Sequence, residues 1–404
     1  MFEVTRAVAW SRLTLLLLIF GFLIRGPGLL AVGAFMLVIL GAALWWNRRA
    51  LAGVTYRRRL KYWRAFPGEE TECEILVENR KLLPLTWLTA VDRWPISLAP
   101  REEGALEPGA TKGLGFLILS LMLQSYERIR RRFTIVFRAR GVYHIGPAQA
   151  ASGDPFGLFK SESLIQPARP VVVFPRVRKL SDLGFRSADP FGDRRATRRL
   201  FEDVSLTIGV RDYQPQDGFR RIHWPSTAHT GRLQSRMYQP VSGLDLVVCL
   251  NVSTYEKPWL GTWPAMFEAL VEAAATIVSE SFDMGYRVGL ISNGGRARAG
   301  RPFRIATGRT QAHLANMLEA LSAVTPIVTA PFHRYLIASS PQIEYGSCMV
   351  IVTAITTPEL VLALMQLKAR SRRLTLYSLA QAEPPFLPGL EVLHRPFLTE
   401  GATA

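Results

Sequence analysis

The sequence predicts a multidomain fold with four parts: an N-terminal transmembrane helical hairpin (residues 1–50), a β-sandwich domain (51–175), an arginine-rich connector (176–240) and a doubly wound α/β domain (241–404). Three observations predict it. Two apolar runs of membrane-spanning length open the chain. Short alternating runs broken by turn residues follow them. From residue 244 the pattern changes to strand, helix, strand, which is typical of a parallel sheet.

The predicted hairpin consists of two apolar runs, residues 8–24 and 29–46, joined by the turn Arg25-Gly26-Pro27-Gly28. Each run has about the length that the hydrocarbon core of a bilayer requires. A cleaved signal peptide would end at a small-residue site and would not be followed at once by a second apolar run. The sequence therefore predicts two membrane spans.

Basic residues predict the orientation of this hairpin, because they accumulate on the cytosolic side of membrane proteins. The turn between the runs offers only Arg25. The first run is flanked by Arg6 and Arg12, and seven basic residues follow the second: Arg48, Arg49, Arg57, Arg58, Arg59, Lys61 and Arg64. Both termini and the soluble domains are therefore expected in the cytosol.

The formal net charge is +17, and residues 1–64 carry more than half of this excess, with ten basic side chains against the single acid Glu3. Basic clusters beside a membrane contact anionic lipids, which accounts for the excess without nucleic acid. Aromatic residues are not interleaved with arginine in the array that stacks on bases. The sequence predicts a lipid bilayer as a partner and no nucleic acid.

Three cysteines, Cys73, Cys249 and Cys348, lie in apolar, strand-like contexts. Their spacing is neither that of a zinc site nor that of a CxxC redox motif. The interpretation that follows is three reduced, buried thiols in a cytosolic protein.

The predicted β-sandwich has about seven short strands; residues 73–79 are half-alternating, and residues 133–138 repeat this pattern. The segment Asp154-Pro155-Phe156-Gly157-Leu158-Phe159 follows them. Aspartate before proline favours a turn, and glycine permits a tight reversal. We expect Asp154 to hold an Asx-type turn that buries Phe156 and Phe159.

The connector ends in an unusual polar segment, residues 210–240, which also contains several large apolar side chains. We interpret Trp224 as a core anchor. Arg211, Arg220 and Arg221 are expected to pair with Asp212 and Asp217 or with carboxylates of a partner. Residues 176–204, which are polar and rich in arginine, are expected to form an exposed linker or loop.

The α/β domain is predicted from alternating patterns. Residues 244–250 form a continuous apolar run, as a central parallel strand does, and residues 263–284 have a helical period. Further strands are predicted at residues 287–292, 303–306, 348–353 and 374–379, and further helices at 310–321 and 358–370.

Several of these segments resemble the bacterial family called domain of unknown function 58. The matching residues are Arg211, Tyr213, Asp217, Arg220, Arg221, Ile222, His223, Trp224, Thr230, Gly231 and Leu233, together with residues 140–143 and 154–159. The resemblance implies a von Willebrand factor A-like α/β domain. It also implies a protein partner, for which a MoxR-type AAA+ ATPase is the candidate, and a place in the bacterial inner (cytoplasmic) membrane.

Such domains hold a metal ion with an Asp-x-Ser-x-Ser pattern after the first strand. This sequence has Asn251, Ser253 and Tyr255 there, and no carboxylate follows the strand that ends at Thr353. Mg²⁺ requires oxygen ligands that include carboxylates. The sequence predicts a degenerate metal site and no cofactor, with weak Mg²⁺ binding as the disfavoured alternative. Asp245 lies at the opposite end of the strand.

The function predicted from these features is that of a membrane-tethered adaptor or scaffold in envelope-linked complex assembly. It is not predicted to be an enzyme or to take a small-molecule substrate. The predicted partner-binding residues are Arg211, Tyr213, Asp217, Arg220, Arg221, His223 and Trp224. The alternative is a metal-independent, membrane-associated hydrolase that uses His223 or His229, although no GxSxG elbow or HExxH motif accompanies them.

Overall fold

The computed structural model describes residues 2–102, 104–185, 202–214, 217–219, 222–240, 245–296, 300–344, 347–369 and 373–397. The chain forms two compact units, Met1–Phe174 and Pro175–Ala404. The first contains two apolar helices and a β-rich domain. The second contains a two-stranded ribbon and a six-stranded sheet with helices.

Two helices open the first unit, α1 (Phe2–Leu23) and α2 (Pro27–Ala50). They approach closely, because a Cβ atom at Gly33 would lie only 2.7 Å from the Leu18 side chain. With a mean hydropathy of 2.3, α2 has the length and composition to cross a membrane, whereas the apolar part of α1, Val8–Leu23, is shorter. Within the described ranges the chain thus has one long apolar helix that suits a membrane anchor, and the second span stays a prediction.

The rest of the first unit is built from strands. These are β1 (Val54–Leu60), β2 (Arg64–Ala65), β3 (Glu70–Asn79), β4 (Leu85–Pro95), β5 (Glu107–Pro108), β6 (Leu114–Leu123), β7 (Arg128–Val136), β8 (Gly141–Ile145), β9 (Ala148–Gly153), β10 (Lys160–Gln166) and β11 (Arg169–Val173). They form sheets with the orders β1-β3-β7, β10-β9-β4-β6-β5 and β2-β11-β8. Alternate residues of β3 and β4 share one apolar core: Cys73, Ile75 and Val77 with Leu88, Ala90 and Trp94.

This core also encloses a polar cluster. The Arg58 Nε atom lies 3.1 Å from the Asp92 carboxylate, and the side chains of both residues are 1% exposed. The Tyr56 hydroxyl donates to the same carboxylate oxygen at 2.9 Å. A second guanidinium nitrogen of Arg58 donates to the Pro167 carbonyl at 3.0 Å. Burying these groups is tolerable because each charge finds a partner.

Asp154 forms the predicted turn between β9 and β10. Its buried carboxylate accepts backbone N–H groups from Phe156 at 2.9 Å, Leu158 at 3.2 Å and Phe159 at 2.6 Å. Gly157 has a φ of 68°, in the region that favours glycine. The expectation that the turn buries Phe156 is wrong. Phe156 is 59% exposed, and Phe159 is only half-buried.

Asp154→Ala is expected to lower the free energy of unfolding by about 2 kcal/mol, because three N–H groups lose a charged acceptor. Urea unfolding of the detergent-solubilised protein, followed by tryptophan fluorescence, measures the change. Glu162→Ala is the control, since it removes a carboxylate that is 66% exposed from the adjoining strand. Equal unfolding midpoints for the two variants would contradict this role of Asp154.

The second unit has the strands β12 (Glu202–Asp212), β13 (Gln234–Pro240), β14 (Asp245–Leu250), β15 (Arg287–Ser292), β16 (Gly294–Arg296), β17 (Phe303–Gly308), β18 (Val324–Val328), β19 (Cys348–Thr353), β20 (Arg373–Ser378) and β21 (Glu391–His394). Its helices are α3 (Trp224–Thr230), α4 (Pro264–Asp283), α5 (Gln311–Ala323), α6 (Phe332–Ser339) and α7 (Pro358–Ala369). The antiparallel pair β12-β13 forms a ribbon, and the main sheet has the order β17-β15-β14-β19-β20-β21.

Both faces of the main sheet are covered. β14 lies between β15 and β19, parallel to each, and all six of its residues are buried. On one face Val247, Cys249 and Ile351 pack with residues of α6 and α7. Leu246, Val248 and Leu250 point to the other face, along which α4 lies. Burial on both sides explains why these strands are continuous apolar runs in the sequence.

Residues 176–185, predicted as part of an exposed linker or loop, are mostly exposed or half-buried, but two of their side chains are buried. Leu180 and Phe185 are buried, and the Phe185 ring stacks on Tyr377 with centroids 5.8 Å apart. Arg178 pairs with Glu272 of α4 at 3.2 Å. The two apolar side chains dock this polar segment on the α/β domain. Residues 186–201 of the predicted linker lie outside the described residues.

Candidate functional site

The carboxyl ends of three parallel strands meet at one edge of the main sheet. The chain runs from β14 to β15 on one side and later returns to β19 on the other side of β14. The winding of the sheet therefore reverses between β14 and β19. Ligands of open α/β sheets bind beyond the strand ends at such a switch point.

A hydrogen-bond network of buried, neutral side chains closes this edge. Asn251 follows β14, Asn293 follows β15, and Thr353 ends β19; they are 2%, 0% and 0% exposed. The Asn251 amide donates to the Thr353 hydroxyl at 3.0 Å, and Asn293 donates to the Asn251 carbonyl oxygen at 3.1 Å. Asn293 in turn accepts the Val252 N–H at 2.9 Å. The network fixes the loops that follow the three strands.

A cleft of about 400 Å³ opens above this network. It lies between the loops after β14 and β19, and its ionisable lining residues are Glu256, His333 and Glu359. At the start of α7, the backbone N–H of Glu359 and the Thr357 hydroxyl donate to the Glu359 carboxylate and lower its pKa. Sequence reasoning missed these residues, since Glu256 lies in the loop after β14, His333 at the start of α6 and Glu359 at the start of α7. Sequence reasoning also missed Asn293 of the network below the cleft. Its position directly after an apolar strand is a signal that could have identified it.

The predicted metal position does not fit a divalent ion. The Asn251 carbonyl oxygen already accepts two N–H groups, from Asn293 and from the Ser253 backbone at 3.1 Å. Asn251 and Ser253 line the cleft as neutral residues, and Tyr255 is 39% exposed. A hard cation prefers charged oxygen ligands that are free to coordinate it. In the described part of the chain no three His, Cys, Asp or Glu side chains are grouped as metal ligands.

Asp245 lies at the amino end of β14, away from this edge, as the sequence indicated. Arg287 bridges it to Glu344, with distances of 3.4 Å to Asp245 and 3.2 Å to Glu344. Burial and the neighbouring Glu344 carboxylate together raise the pKa of Asp245 to about 7, against the opposing effect of Arg287. Glu344 keeps a lowered pKa, because Asp245 and Arg287 stabilise its charged form.

This raised pKa makes stability depend on pH. The folded pKa of about 7 exceeds the unfolded value of about 4, so the contribution of Asp245 is full below pH 4 and is lost as the pH rises towards 7. At pH 8, the free energy of unfolding of Asp245→Asn is expected to exceed that of wild type by on the order of 2 kcal/mol. The variant should therefore unfold at a higher urea concentration. At pH 4 this advantage should disappear. Asp283→Asn, an exposed carboxylate of the same unit, is the control, and an identical pH profile for both variants would refute the assignment.

The polar segment that resembles the family folds around the β12-β13 ribbon. Arg211 pairs with the buried Asp217 at 2.7 Å, and Asp217 also accepts the Gln214 N–H at 3.1 Å. This agrees with the predicted pairing of Arg211, whereas Asp212 bonds to Gln234 instead. Arg220 and Arg221 lie outside the described residues.

His223 caps the amino-terminal end of α3. Its Nδ1 atom accepts the Ser226 N–H at 3.2 Å and lies 2.8 Å from the Ser226 hydroxyl. A serine–histidine contact is also the first requirement of a hydrolase, but capping of the short helix accounts for both contacts. His229 is exposed in the last turn of α3. The described contacts of His223 are therefore those of a helix cap.

The interpretation of Trp224 as a core anchor is wrong. Its side chain is 65% exposed, and the buried position is taken by Ile222, which pairs with Ser235 of β13 and is 3% exposed. α3 begins at Trp224 and has no buried residues. Because this helix packs on the ribbon only lightly, the indole at its first position projects into solvent.

Trp224 belongs to a group of apolar side chains that we call the motif patch: Tyr213, Phe219, Trp224 and Leu233. Phe219 is 79% exposed and stacks on Tyr213 with centroids 6.2 Å apart, and Leu233 is 44% exposed. The Tyr213 N–H donates to the Leu233 carbonyl at 2.8 Å, and the His223 N–H donates to Gln234. These backbone bonds hold together the segments that carry the four side chains. Sequence reasoning missed Phe219, because a lone phenylalanine beside Asp-Gly gives no periodic signal.

Comparisons with known proteins connect this segment to a family. Residues 209–377 match the sequence model of the family described as "Protein of unknown function DUF58". The uncharacterized protein YeaD of Bacillus subtilis is 22% identical over 300 residues, which cover 73% of this chain and 69% of that protein.

Solved structures are matched over smaller parts of the chain. The CARDB domain of a Pyrococcus furiosus protein, solved with di-metal ions, is 13% identical and covers 30% of this chain and 91% of its own, with a TM-score of 0.21. A cohesin module of a Clostridium perfringens family 33 glycoside hydrolase is 9% identical and covers 30% of this chain and 96% of its own, with a TM-score of 0.23.

Proposed function

We propose, from the match of residues 209–377 to the DUF58 family model, that this chain is a membrane-tethered adaptor that docks a protein partner through the motif patch. The tether is the hairpin of α1 and α2, with both helices spanning the bacterial inner membrane and both units in the cytosol. The α/β domain is von Willebrand factor A-like, and it acts without a metal ion.

The exposure of Phe219 and Trp224 is the observation that carries this proposal. Large aromatic side chains with 79% and 65% of their surface in water are costly to leave exposed and are enriched in the centres of protein interfaces. The polar residues around these two rings have structural roles. Asp217, His223 and Gln234 hold the loop, the helix and the ribbon in place, so the aromatic rings are presented on a fixed frame.

The chemistry of the partner follows from the rim of the patch. Arg232 is exposed beside Leu233, and the Arg211 side chain is 44% exposed while it pairs with Asp217. Arginine forks bind carboxylates with two parallel hydrogen bonds. The surface that docks here is therefore expected to have an apolar pocket edged by acidic side chains, and the resemblance to the family points to a MoxR-type AAA+ ATPase.

Co-purification tests the proposal. The full chain is extracted from native membranes in mild detergent, with and without ATP, and the recovered proteins are identified by mass spectrometry. We expect a AAA+ ATPase to be recovered with wild type. A chain that remains folded in the membrane fraction and recovers no AAA+ protein under either condition would contradict the proposed partner.

A further inference from the structure

Strand register places three turns of the β-sandwich at the end where α2 enters it. Val54, the first residue of β1, pairs with Asn79 at the end of β3, and Glu78 pairs with Arg128 at the start of β7. At the same level, β4 begins opposite the end of β6, and its Leu88 pairs with Ser152 near the end of β9. The turns at residues 80–84, 124–127 and 154–159 therefore share this end with the 51–53 connection.

The first of these turns is bonded directly to the end of α2. The Lys81 ammonium donates to the carbonyls of Arg49 at 2.7 Å and Ala52 at 2.8 Å, and also to that of Ala50. These are carbonyls that a helix end leaves without partners. Burial lowers the pKa of Lys81 to about 8. The third turn is also close to α2, since the hydroxyl of Ser161, the second residue of β10, lies 3.1 Å from the Asn47 side chain.

Each of the three turns exposes one large apolar side chain. Leu82 is 75% exposed, Tyr126 is 68% exposed and Phe156 is 59% exposed. The first two turns are joined, because Ser125 donates to the Leu82 carbonyl and the Tyr126 N–H donates to the Lys81 carbonyl at 3.2 Å. Tyr126 has a φ of 58°, a conformation uncommon for tyrosine, and it turns the ring outward. Single exposed apolar residues are ordinary, but three on adjacent turns form a patch.

The charges at this end suit a lipid surface. Basic residues adjoin the three turns and the end of α2 in the sequence: Arg48, Arg49, Arg80, Arg128 and Lys160. Of the acids near these turns, Glu78 pairs with Arg80 and Arg128, Glu162 pairs with Lys160, and Glu127 accepts the Gln124 N–H. Arginine and lysine in this position attract anionic headgroups.

We propose that Leu82, Tyr126 and Phe156 insert into the headgroup region of the bilayer that α2 enters, so that this end of the β-sandwich rests on the membrane. The inference depends on the proposed tether. At 1.5 Å per residue, the 24 residues of α2 exceed the hydrocarbon core of about 30 Å. The last helical turn of α2 therefore lies at headgroup level, and Lys81 holds the connecting turn of residues 80–84 beside it. Tyrosine is enriched at this level, because its ring is apolar and its hydroxyl is polar.

The test uses single-cysteine labelling of the full chain in lipid nanodiscs that contain anionic lipid. Cys73, Cys249 and Cys348 are buried, so an environment-sensitive fluorophore reacts with an introduced cysteine, and unmodified wild type gives the background. The tip variants are Leu82→Cys, Tyr126→Cys and Phe156→Cys. The matched control is Ile96→Cys, an apolar side chain 48% exposed at the opposite end of β4. Leu37→Cys, on the exposed surface of α2, reports insertion of the helix.

A lipid nitroxide just below the headgroups is expected to quench the three tip labels by about half, as for groups seated 5–10 Å into the boundary, and to leave the Ile96 label unchanged. Tip labels that behave like the Ile96 label, while a nitroxide at the bilayer centre quenches the Leu37 label, would overturn this inference and leave the tether standing. Failure to quench the Leu37 label as well would overturn the tether and this inference together.

Discussion

Phe219→Ala and Trp224→Ala are each expected to weaken binding of the partner by about 2 kcal/mol, which corresponds to about 30-fold in affinity. The reason is that aromatic side chains exposed to water gain most when a partner covers them. Neither substitution removes a buried side chain, so both variants should fold as wild type does. Affinity of the detergent-solubilised chain for the recovered partner, measured by biolayer interferometry, gives the value.

Phe386→Ala is the matched control for this prediction. Phe386 is an aromatic residue that is 89% exposed in the same unit but outside residues 209–377. Its loss should leave affinity unchanged. An equal loss of affinity in all three variants would show that general hydrophobicity, and not the motif patch, determines the recovery of the partner.

Arg58→Met is expected to lower the free energy of unfolding by about 3–5 kcal/mol, because removal of one partner leaves the other buried and unpaired. Burial already raises the pKa of Asp92, against the opposing attraction of Arg58. Without Arg58 this pKa rises further. A raised folded pKa gives stability that is lost as the pH rises, so the deficit of the variant should be larger at pH 8 than at pH 5.

A second substitution separates charge from packing at this position. Arg58→Met combined with Asp92→Asn removes both charges and keeps an acceptor for the Tyr56 hydroxyl. Replacing a buried ion pair with neutral groups costs less than breaking it, so the double variant should recover much of the loss. Urea unfolding at both pH values measures this. A single variant within 1 kcal/mol of wild type would contradict the account of the cluster.

The α/β sheet is the part of the fold that the sequence predicts best. The predicted bounds 287–292 and 348–353 agree with β15 and β19, and the helix predicted at 358–370 agrees with α7 to within one residue. These strands are apolar throughout because helices cover both of their faces, and that burial is visible in composition alone. Short elements such as α6 and β21 lack this signal and are missed.

The candidate site was harder to predict, because its residues depend on contacts between distant segments. Asn251 and Ser253 could be located by their place after a strand. The cleft is also lined by Glu256, His333 and Glu359, whose spacing in the sequence follows no recognisable pattern. Trp224 was misassigned for a related reason. An aromatic residue in a polar segment suggests an anchor, but whether Trp224 or Ile222 is buried depends on how α3 meets the ribbon.

Photo-crosslinking at the motif patch in native membranes tests the central claim most directly. A photoreactive amino acid is placed at Trp224, and in a parallel sample at Phe386 as the control. If the motif patch docks a protein, irradiation of the Trp224 sample should give one dominant crosslinked protein, a AAA+ ATPase, which the Phe386 sample lacks. A correctly inserted chain that crosslinks at Trp224 only to lipid, or to the same set of proteins as Phe386, would contradict the adaptor function.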